Sequence, residues 1–196
     1  LRGDTAEAGV VPVAFGVVCP RDVQGVLDSF SDVRSLDLSL PQRWETSANT
    51  GTEIDIRTGD QGLRADFRFR INRAWTNISY RLDPEHVRGA QGLVVLARGK
   101  PKPEPDLRFW PKIRFSVREK NGSIYRGGSI PVNGEAHVLY LPFDRLPMSP
   151  FGEKDDNEVL DPEKIEAFTV STWHGTPDQP FTLTVEKACL VGKPKR

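Results

Sequence analysis

The chain has 196 residues, 37% of them hydrophobic and 28% charged, which suits one globular domain with a sizeable core. Its 27 basic and 27 acidic residues cancel, so a general nucleic-acid or acidic-membrane surface is disfavoured. No apolar run approaches the roughly 20 residues of a membrane helix. The apolar stretch from Val10 to Val18 is interrupted by Pro12 and Gly16, and we do not interpret it as a signal peptide.

Alternating hydrophobicity predicts many short β-strands. In residues 62–71, hydrophobic side chains occupy every second position, with arginine or aspartate between most of them. The same alternation recurs in residues 53–57, 74–82, 112–118, 168–171 and 181–186. Residues 93–97 are continuously apolar, which is typical of a strand covered on both faces. Helical periodicity is scarce, and the best helix candidate is the short segment 162–167, with Asp161 as its cap.

Turn signals separate these strands. Asn121 and Gly122 predict a tight hairpin between the alternating runs on either side, and Gly127 and Gly128 predict a β-bulge. Two longer loops are predicted, near residues 100–110 and 147–161. Short, regularly punctuated strands with almost no helix predict an all-β sandwich or barrel.

Two tryptophans lie in polar surroundings on these strands. Alternation places Trp75 beside Asn77 and Arg81, and it places Trp173 beside Ser171. Either tryptophan could cover a sheet edge or pack under a loop, but each also meets the needs of a sugar-binding face. Such a face stacks an aromatic ring on the C–H groups of a sugar, while polar side chains hydrogen-bond the hydroxyls.

Arginines recur at the outward positions of the predicted strands. In one interpretation they pair with acids on neighbouring strands. In the other, several line one cleft and select an acidic ligand such as a uronate or a sulfated glycan. These arginines are Arg64, Arg68, Arg70, Arg81, Arg114, Arg118 and Arg126.

The two cysteines, Cys19 and Cys189, lie near opposite ends of the chain. They are either joined as a disulfide or present as two separate buried thiols. No pair or cluster of cysteine and histidine has the spacing of a zinc site.

The order of five segments resembles that of the family-eleven carbohydrate-binding modules and of the complex I intermediate-associated protein group. These segments are an opening Leu-Asp-x-Phe strand at residues 27–31, a tryptophan strand at 74–80, a Gly-x-x-Leu strand at 89–99, a strand ending in Pro-Phe at 138–143 and a closing strand at 185–190. The resemblance implies a galactose-binding-like jelly-roll sandwich over residues 25–192, preceded by an N-terminal extension or edge strand at 1–24 and followed by a tail at 193–196.

The resemblance also implies a site. In those modules, a concave sheet face forms a cleft for a glucan chain, and an aromatic residue near the end of the penultimate core strand matches Trp173 within one residue. Ala74 stands where the family has a ligand-facing tyrosine. The family's calcium site uses acids of the first and last strands, which implies Asp28 and Glu186 as ligands of a structural calcium ion, with Ser29 and Ser31 replacing two acids.

We therefore expect a non-catalytic module that binds a polysaccharide, is secreted or located in the cell envelope, and has neither nucleic-acid nor membrane partners. Catalytic domains in the same parent chain are expected partners. The alternatives are a jelly-roll polysaccharide lyase or hydrolase, and a protein-interaction or assembly domain. The expected ligand-binding residues are Trp173, Trp75, Asn77, Arg81, Arg68, Arg114, His174 and Ser171.

Overall fold

The computed structural model describes residues 17–18, 23–71, 74–101, 112–173 and 180–195, with the backbone alone described at residues 17, 18, 112 and 173. The described strands are β1 (Val17–Val18), β2 (Val33–Ser35), β3 (Trp44–Ala48), β4 (Thr52–Gly59), β5 (Gly62–Phe69), β6 (Trp75–Arg81), β7 (Gly92–Pro101), β8 (Lys112–Glu119), β9 (Ile124–Ile130), β10 (Ala136–Pro142), β11 (Ile165–Trp173) and β12 (Pro180–Val191). The described helices are α1 (Val23–Asp28), α2 (Pro84–Val87) and short 3₁₀ segments at Pro41–Arg43, Phe143–Arg145 and Pro162–Lys164.

These strands form two antiparallel sheets packed face to face. The seven-stranded sheet has the order β1-β10-β7-β12-β5-β4, and β2 also pairs with β12. The five-stranded sheet has the order β3-β6-β11-β8-β9. The predicted all-β sandwich is thus confirmed.

The main core lies between the sheets, because the inward positions of the alternating strands are the hydrophobic ones. Phe67, Phe115 and Phe168 are among its fully buried side chains. Trp44 packs edge-on against Tyr80 and Phe168, with ring centroids 4.9 and 5.7 Å apart, and its indole N–H donates to the Leu38 carbonyl. Trp44 is therefore a packing residue.

A second hydrophobic cluster covers the outer surface of the seven-stranded sheet. There α1 packs Leu27, and the turn after it packs Phe30, against Val94 and Cys189. Strand β7 is consequently covered on both faces, as its continuous apolar run predicted. Cys189 is a buried free thiol, while Cys19 lies outside the described residues.

Two predicted elements differ from those observed. The expected opening strand at residues 27–31 is the end of α1 and its following turn, because Val23, Val26, Leu27 and Phe30 recur at helical spacing and pack on one sheet surface. The helix expected over 162–167 ends at Lys164. The Asp161 side chain caps it, as predicted, but Ile165 already enters the core as the first residue of β11.

The predicted hairpin and bulge are both present. Asn121 and Gly122 lie between β8 and β9, with Gly122 at φ 91°. The β8–β9 register shifts between Arg114 and Ser116, where Gly127 and Gly128 lie opposite. A Cβ atom on Gly127 would meet Leu141 Cδ2 at 2.0 Å, so only glycine allows β9 this close to β10.

Candidate functional site

The outer face of the five-stranded sheet carries a nearly continuous set of polar side chains. Cross-strand register aligns Asn77 with Ser171, and Ser171 in turn with Arg114. One row further along, Ser79 is opposite Thr169, and Thr169 is opposite Ser116. The inward neighbours of these residues are core side chains, so alternation directs the polar groups away from the core.

Hydroxyl groups form the middle of this face. The Ser79 and Thr169 hydroxyls are 2.9 Å apart, and the Ser116 hydroxyl donates to the Thr169 carbonyl at 3.4 Å. All three side chains are small and buried beneath the level of their larger neighbours. The centre of the face therefore carries small hydroxyl side chains between its arginine-bearing and tryptophan-bearing margins.

Trp75 lies at one end of β6 and is 41% exposed. Its backbone is fixed, because its N–H donates to the Asn49 side chain at 2.9 Å and its carbonyl accepts from the Thr52 hydroxyl at 3.2 Å. The Cα of Trp173 pairs with the Cα of Trp75 across β6 and β11. Trp75 thus presents a large apolar surface beside polar groups, on a backbone that is held in place.

An ion network occupies the opposite end of the face. Arg118 Nε donates to Glu166 at 2.7 Å, and its Nη2 lies 3.8 Å from Glu45. Glu45 also pairs with Arg81. These four charged groups are partly exposed, so their pairing orders the side chains more than it stabilises the fold.

Two further arginines lie on the β8–β9 side of the face. Arg114 is half-buried, and burial lowers its pKa, with a further contribution from the positive charge of Arg126. Arg126 is opposite Ser116, and its Nε is buried without a hydrogen-bond partner. The structure therefore brings two guanidinium groups close enough to repel each other.

The structure brings most of the predicted ligand-binding residues together on this face, namely Trp75, Asn77, Arg81, Arg114 and Ser171. It separates Arg68 from them. Arg68 lies on β5, in the seven-stranded sheet, and its outward position is on the opposite side of the sandwich. His174 and the side chain of Trp173 lie outside the described residues.

The residues expected to bind calcium have other partners. Asp28 lies at the end of α1 and accepts a hydrogen bond from Gln24 at 2.8 Å, while Glu186 pairs with Arg98 at 3.4 Å. Within the described ranges, no three His, Cys, Asp or Glu side chains are grouped to hold a metal ion. The described residues therefore do not form a calcium-ligand set around this pair.

The sequence did not assign Glu45, Glu166 or Ser116 to the site. Alternation within residues 112–118 placed Ser116 outward, which was the available signal for that residue. No comparable signal identified the two glutamates, because their proximity depends on β3 and β11 both lying near Arg118.

The sequence matches no protein-family model and no curated protein sequence. Solved structures do match. A family 11 carbohydrate-binding module from Clostridium thermocellum, in complex with a β-1,3-1,4-mixed-linked tetrasaccharide, has a TM-score of 0.58 at 16% identity, covering 84% of this chain and 98% of that one. This chain has the fold of a family 11 carbohydrate-binding module.

Two other solved structures agree with this assignment of fold. The family 11 module of a cellulosomal cellulase of Clostridium thermocellum has a TM-score of 0.56 at 14% identity, covering 84% of this chain and 97% of that one. An agarase has a TM-score of 0.54 at 13% identity, covering 83% of this chain but 25% of the agarase. The matching fold thus spans nearly all of the two family 11 module structures and a quarter of the agarase chain. None of the described helices is long and apolar enough to cross a membrane.

Proposed function

We propose that this protein is a non-catalytic carbohydrate-binding module that holds a polysaccharide chain across the outer face of its five-stranded sheet. The observation that carries the proposal is Trp75, a backbone-anchored and 41% exposed aromatic at the margin of a row of hydroxyl, amide and guanidinium groups. An indole ring offers a flat apolar surface to the C–H face of a sugar.

The polar groups suit the rim of a sugar ring. The Asn77 amide both donates and accepts, the Ser171 hydroxyl does the same, and the Arg81 guanidinium donates through a planar fork. Four strand spacings of about 4.8 Å give the face a width of about 19 Å from β3 to β9. That width accommodates a short run of sugar units, so the proposed ligand is a chain rather than one monosaccharide.

The carboxylates of this face support binding rather than hydrolysis. Glycoside hydrolysis uses two carboxyl groups that flank the scissile bond, about 5 to 9.5 Å apart. Glu45 and Glu166 instead both contact the guanidinium of Arg118. Among the described residues of this face, these two carboxylates are engaged as salt-bridge partners of Arg118, which supports a binding role.

The structural neighbours support a role beside catalytic domains. One of them contains a bound mixed-linked tetrasaccharide, and another is an agarase of which the matching region is a quarter of the chain. We propose that this chain likewise serves a glycoside-active protein that is secreted or located in the cell envelope. The structural calcium ion at Asp28 and Glu186 that the resemblance implies stays a prediction, and calorimetric titration with calcium would test it.

Affinity electrophoresis against soluble neutral and acidic polysaccharides tests the proposal. We expect at least one polysaccharide to retard the wild-type protein, with no new reducing ends or unsaturated products. The variant Trp75→Ala should lose most of that retardation, whereas Phe151→Ala, which removes another exposed aromatic, should retain it. Product formation would favour the lyase or hydrolase, and no retardation by any polysaccharide would favour an interaction domain.

A further inference from the structure

The arginine pair Arg114 and Arg126 places two positive charges on the β8–β9 side of the candidate face. Arg126 follows Tyr125, whose side chain enters the core, and precedes Gly127, where a Cβ would point at core residue Leu141. Arg126 therefore occupies the outward position of β9. Strand β8 carries Ser116 opposite Arg126, and Arg114 lies two residues from Ser116 on the same face.

The bulge at Gly127 and Gly128 sets this proximity. It inserts an extra residue into β9 between the positions opposite Ser116 and Arg114. The register shift strengthens the local twist and changes the direction in which the flanking side chains project. Larger residues at Gly127 or Gly128 would collide with Leu141 or Leu139, so the close packing of β9 requires this glycine pair.

Among the described residues, the Arg126 side chain has no ion-pair partner. Its Nε is buried without a hydrogen-bond partner, and within the described ranges no carboxylate lies at salt-bridge distance from it. The glutamates of this face pair instead with Arg81 and Arg118. A buried guanidinium N–H without an acceptor costs free energy, which an incoming oxyanion would recover.

We propose that Arg126, together with Arg114, binds an oxyanion substituent of the glycan, a carboxylate or a sulfate ester, so that the module selects an acidic polysaccharide. A planar guanidinium presents two parallel N–H groups to the two oxygens of such a group. The hydroxyl row of Ser79, Thr169 and Ser116 leads from β6 to this pair, so one chain can contact both Trp75 and Arg126. This inference rests on the proposed function.

The acidic-ligand inference can be tested with three polymers that share a β-1,4-glucan backbone. These are neutral hydroxyethylcellulose, carboxylated carboxymethylcellulose and sulfated cellulose sulfate. Calorimetric titration of the wild-type protein at about 20 mM salt should give tighter binding to at least one charged polymer than to the neutral one. That preference should weaken between about 20 and 200 mM salt, because the interaction is ionic. Whichever charged polymer binds more tightly identifies the carboxylate or the sulfate ester as the preferred group.

The variant Arg126→Gln should lower the ratio of charged-polymer to neutral-polymer affinity by about tenfold, since it removes a charge-assisted hydrogen-bond donor pair. Arg126→Lys keeps the charge without the fork and should lower that ratio by less. The matched control is Arg57→Gln, which makes the same change at an exposed position on β4 of the other sheet and should leave the ratio unchanged. Since Arg126 has no acceptor for its Nε, Arg126→Gln should unfold at the same or a higher urea concentration than the wild type.

Three results would overturn this inference, and they differ in what they mean for the proposed function. Equal wild-type affinity for all three polymers, lost in Trp75→Ala and unaffected by Arg126→Gln, would overturn the acidic-ligand inference and leave carbohydrate binding in place. An equal loss of preference in Arg57→Gln would also overturn the inference, because a general charge effect would then explain it. If the wild-type protein bound none of the three polymers and no polysaccharide of the wider panel, the acidic-ligand inference and the proposed carbohydrate-binding function would both be wrong.

Discussion

The hydroxyl groups of Ser79 and Thr169 lie 2.9 Å apart between β6 and β11, in the middle of the polar sheet face. One hydroxyl donates to the other in a place where both side chains are buried. The floor of the candidate site is therefore a hydrogen-bonded pair rather than two independent polar groups.

Removing one hydroxyl of this pair should lower the free energy of unfolding by more than half of the amount that the hydrogen-bonded pair contributes to it. We expect Ser79→Ala and Thr169→Val each to lower the free energy of unfolding by about 1–3 kcal/mol, because the remaining hydroxyl is left buried without its partner. The double variant should be more stable than the sum of the single losses implies. Urea denaturation of all four proteins measures the coupling, and strictly additive losses would contradict it.

Substitution by phenylalanine should destabilise the protein at Trp44 and leave its stability almost unchanged at Trp75. Trp44→Phe should lower the free energy of unfolding by about 1–3 kcal/mol, because the Leu38 carbonyl loses the buried indole N–H that it accepts. Trp75→Phe, at a 41% exposed side chain, should change it by less than about 0.5 kcal/mol. Urea denaturation measures both values, and equal losses would show that the two tryptophans are not a packing residue and a surface residue.

Gly127 should tolerate no side chain. A Cβ there would lie 2.0 Å from Leu141 Cδ2 and 2.7 Å from the Phe115 carbonyl oxygen, so we expect Gly127→Ala to lower the free energy of unfolding by about 1–3 kcal/mol or more. Gly59→Ala is the control, because a Cβ at Gly59 meets nothing within 4 Å. Thermal and urea unfolding of the two variants give the comparison. A Gly127→Ala protein as stable as Gly59→Ala would mean that β9 and β10 pack less closely than described.

Glu119 should make stability depend on pH. Burial raises the pKa of this carboxyl, whose Oε1 accepts from the Asp161 N–H at 2.6 Å and whose Oε2 is buried without a partner. The folded state therefore holds the proton more tightly than the unfolded state. The contribution of protonated Glu119 to folded-state stability is therefore complete below its unfolded-state pKa of about 4.3. That contribution is lost as pH rises through the folded-state pKa.

The variant Glu119→Gln should remove this dependence, because glutamine keeps the acceptor for Asp161 and does not ionise. Relative to the wild type, it should gain stability as pH rises above about 4.3. Urea denaturation at a series of pH values measures the difference, with exposed Glu163→Gln as the control. A wild-type-to-variant difference that stays constant with pH would contradict the raised pKa.

Local alternation predicted much of the candidate site. The sequence placed Asn77 and Arg81 on the face of Trp75, and it placed Arg114 with Ser116 and Arg118. The structure retains these relations because side-chain direction within one strand is fixed by the two-residue period of the backbone. The hairpin at Asn121 and the cap at Asp161 were equally local, and both are observed.

Alternation could not assign strands to sheets. Residues 62–69 have the same pattern as residues 112–118, yet β5 pairs with β4 and β12, while β8 pairs with β9 and β11. Arg68 was therefore grouped with Arg114, although the two lie on opposite sides of the sandwich. The strand prediction for residues 27–31 was wrong for a related reason. The apolar residues of this segment cover a sheet surface as the end of a helix, and that surface exists only after β7, β10 and β12 have paired.

By itself the sequence determined the class of fold, the strongly alternating strands and the side of each of them that faces water, because these follow from the backbone period and from the burial of apolar side chains. Only the tertiary structure decided which outward residues meet. Pairings of β6, β11, β8 and β9 join residues that are far apart in the chain. These pairings bring together Trp75, the hydroxyl row and the Arg114–Arg126 pair. Such pairings depend on long-range packing and register, which no local pattern specifies.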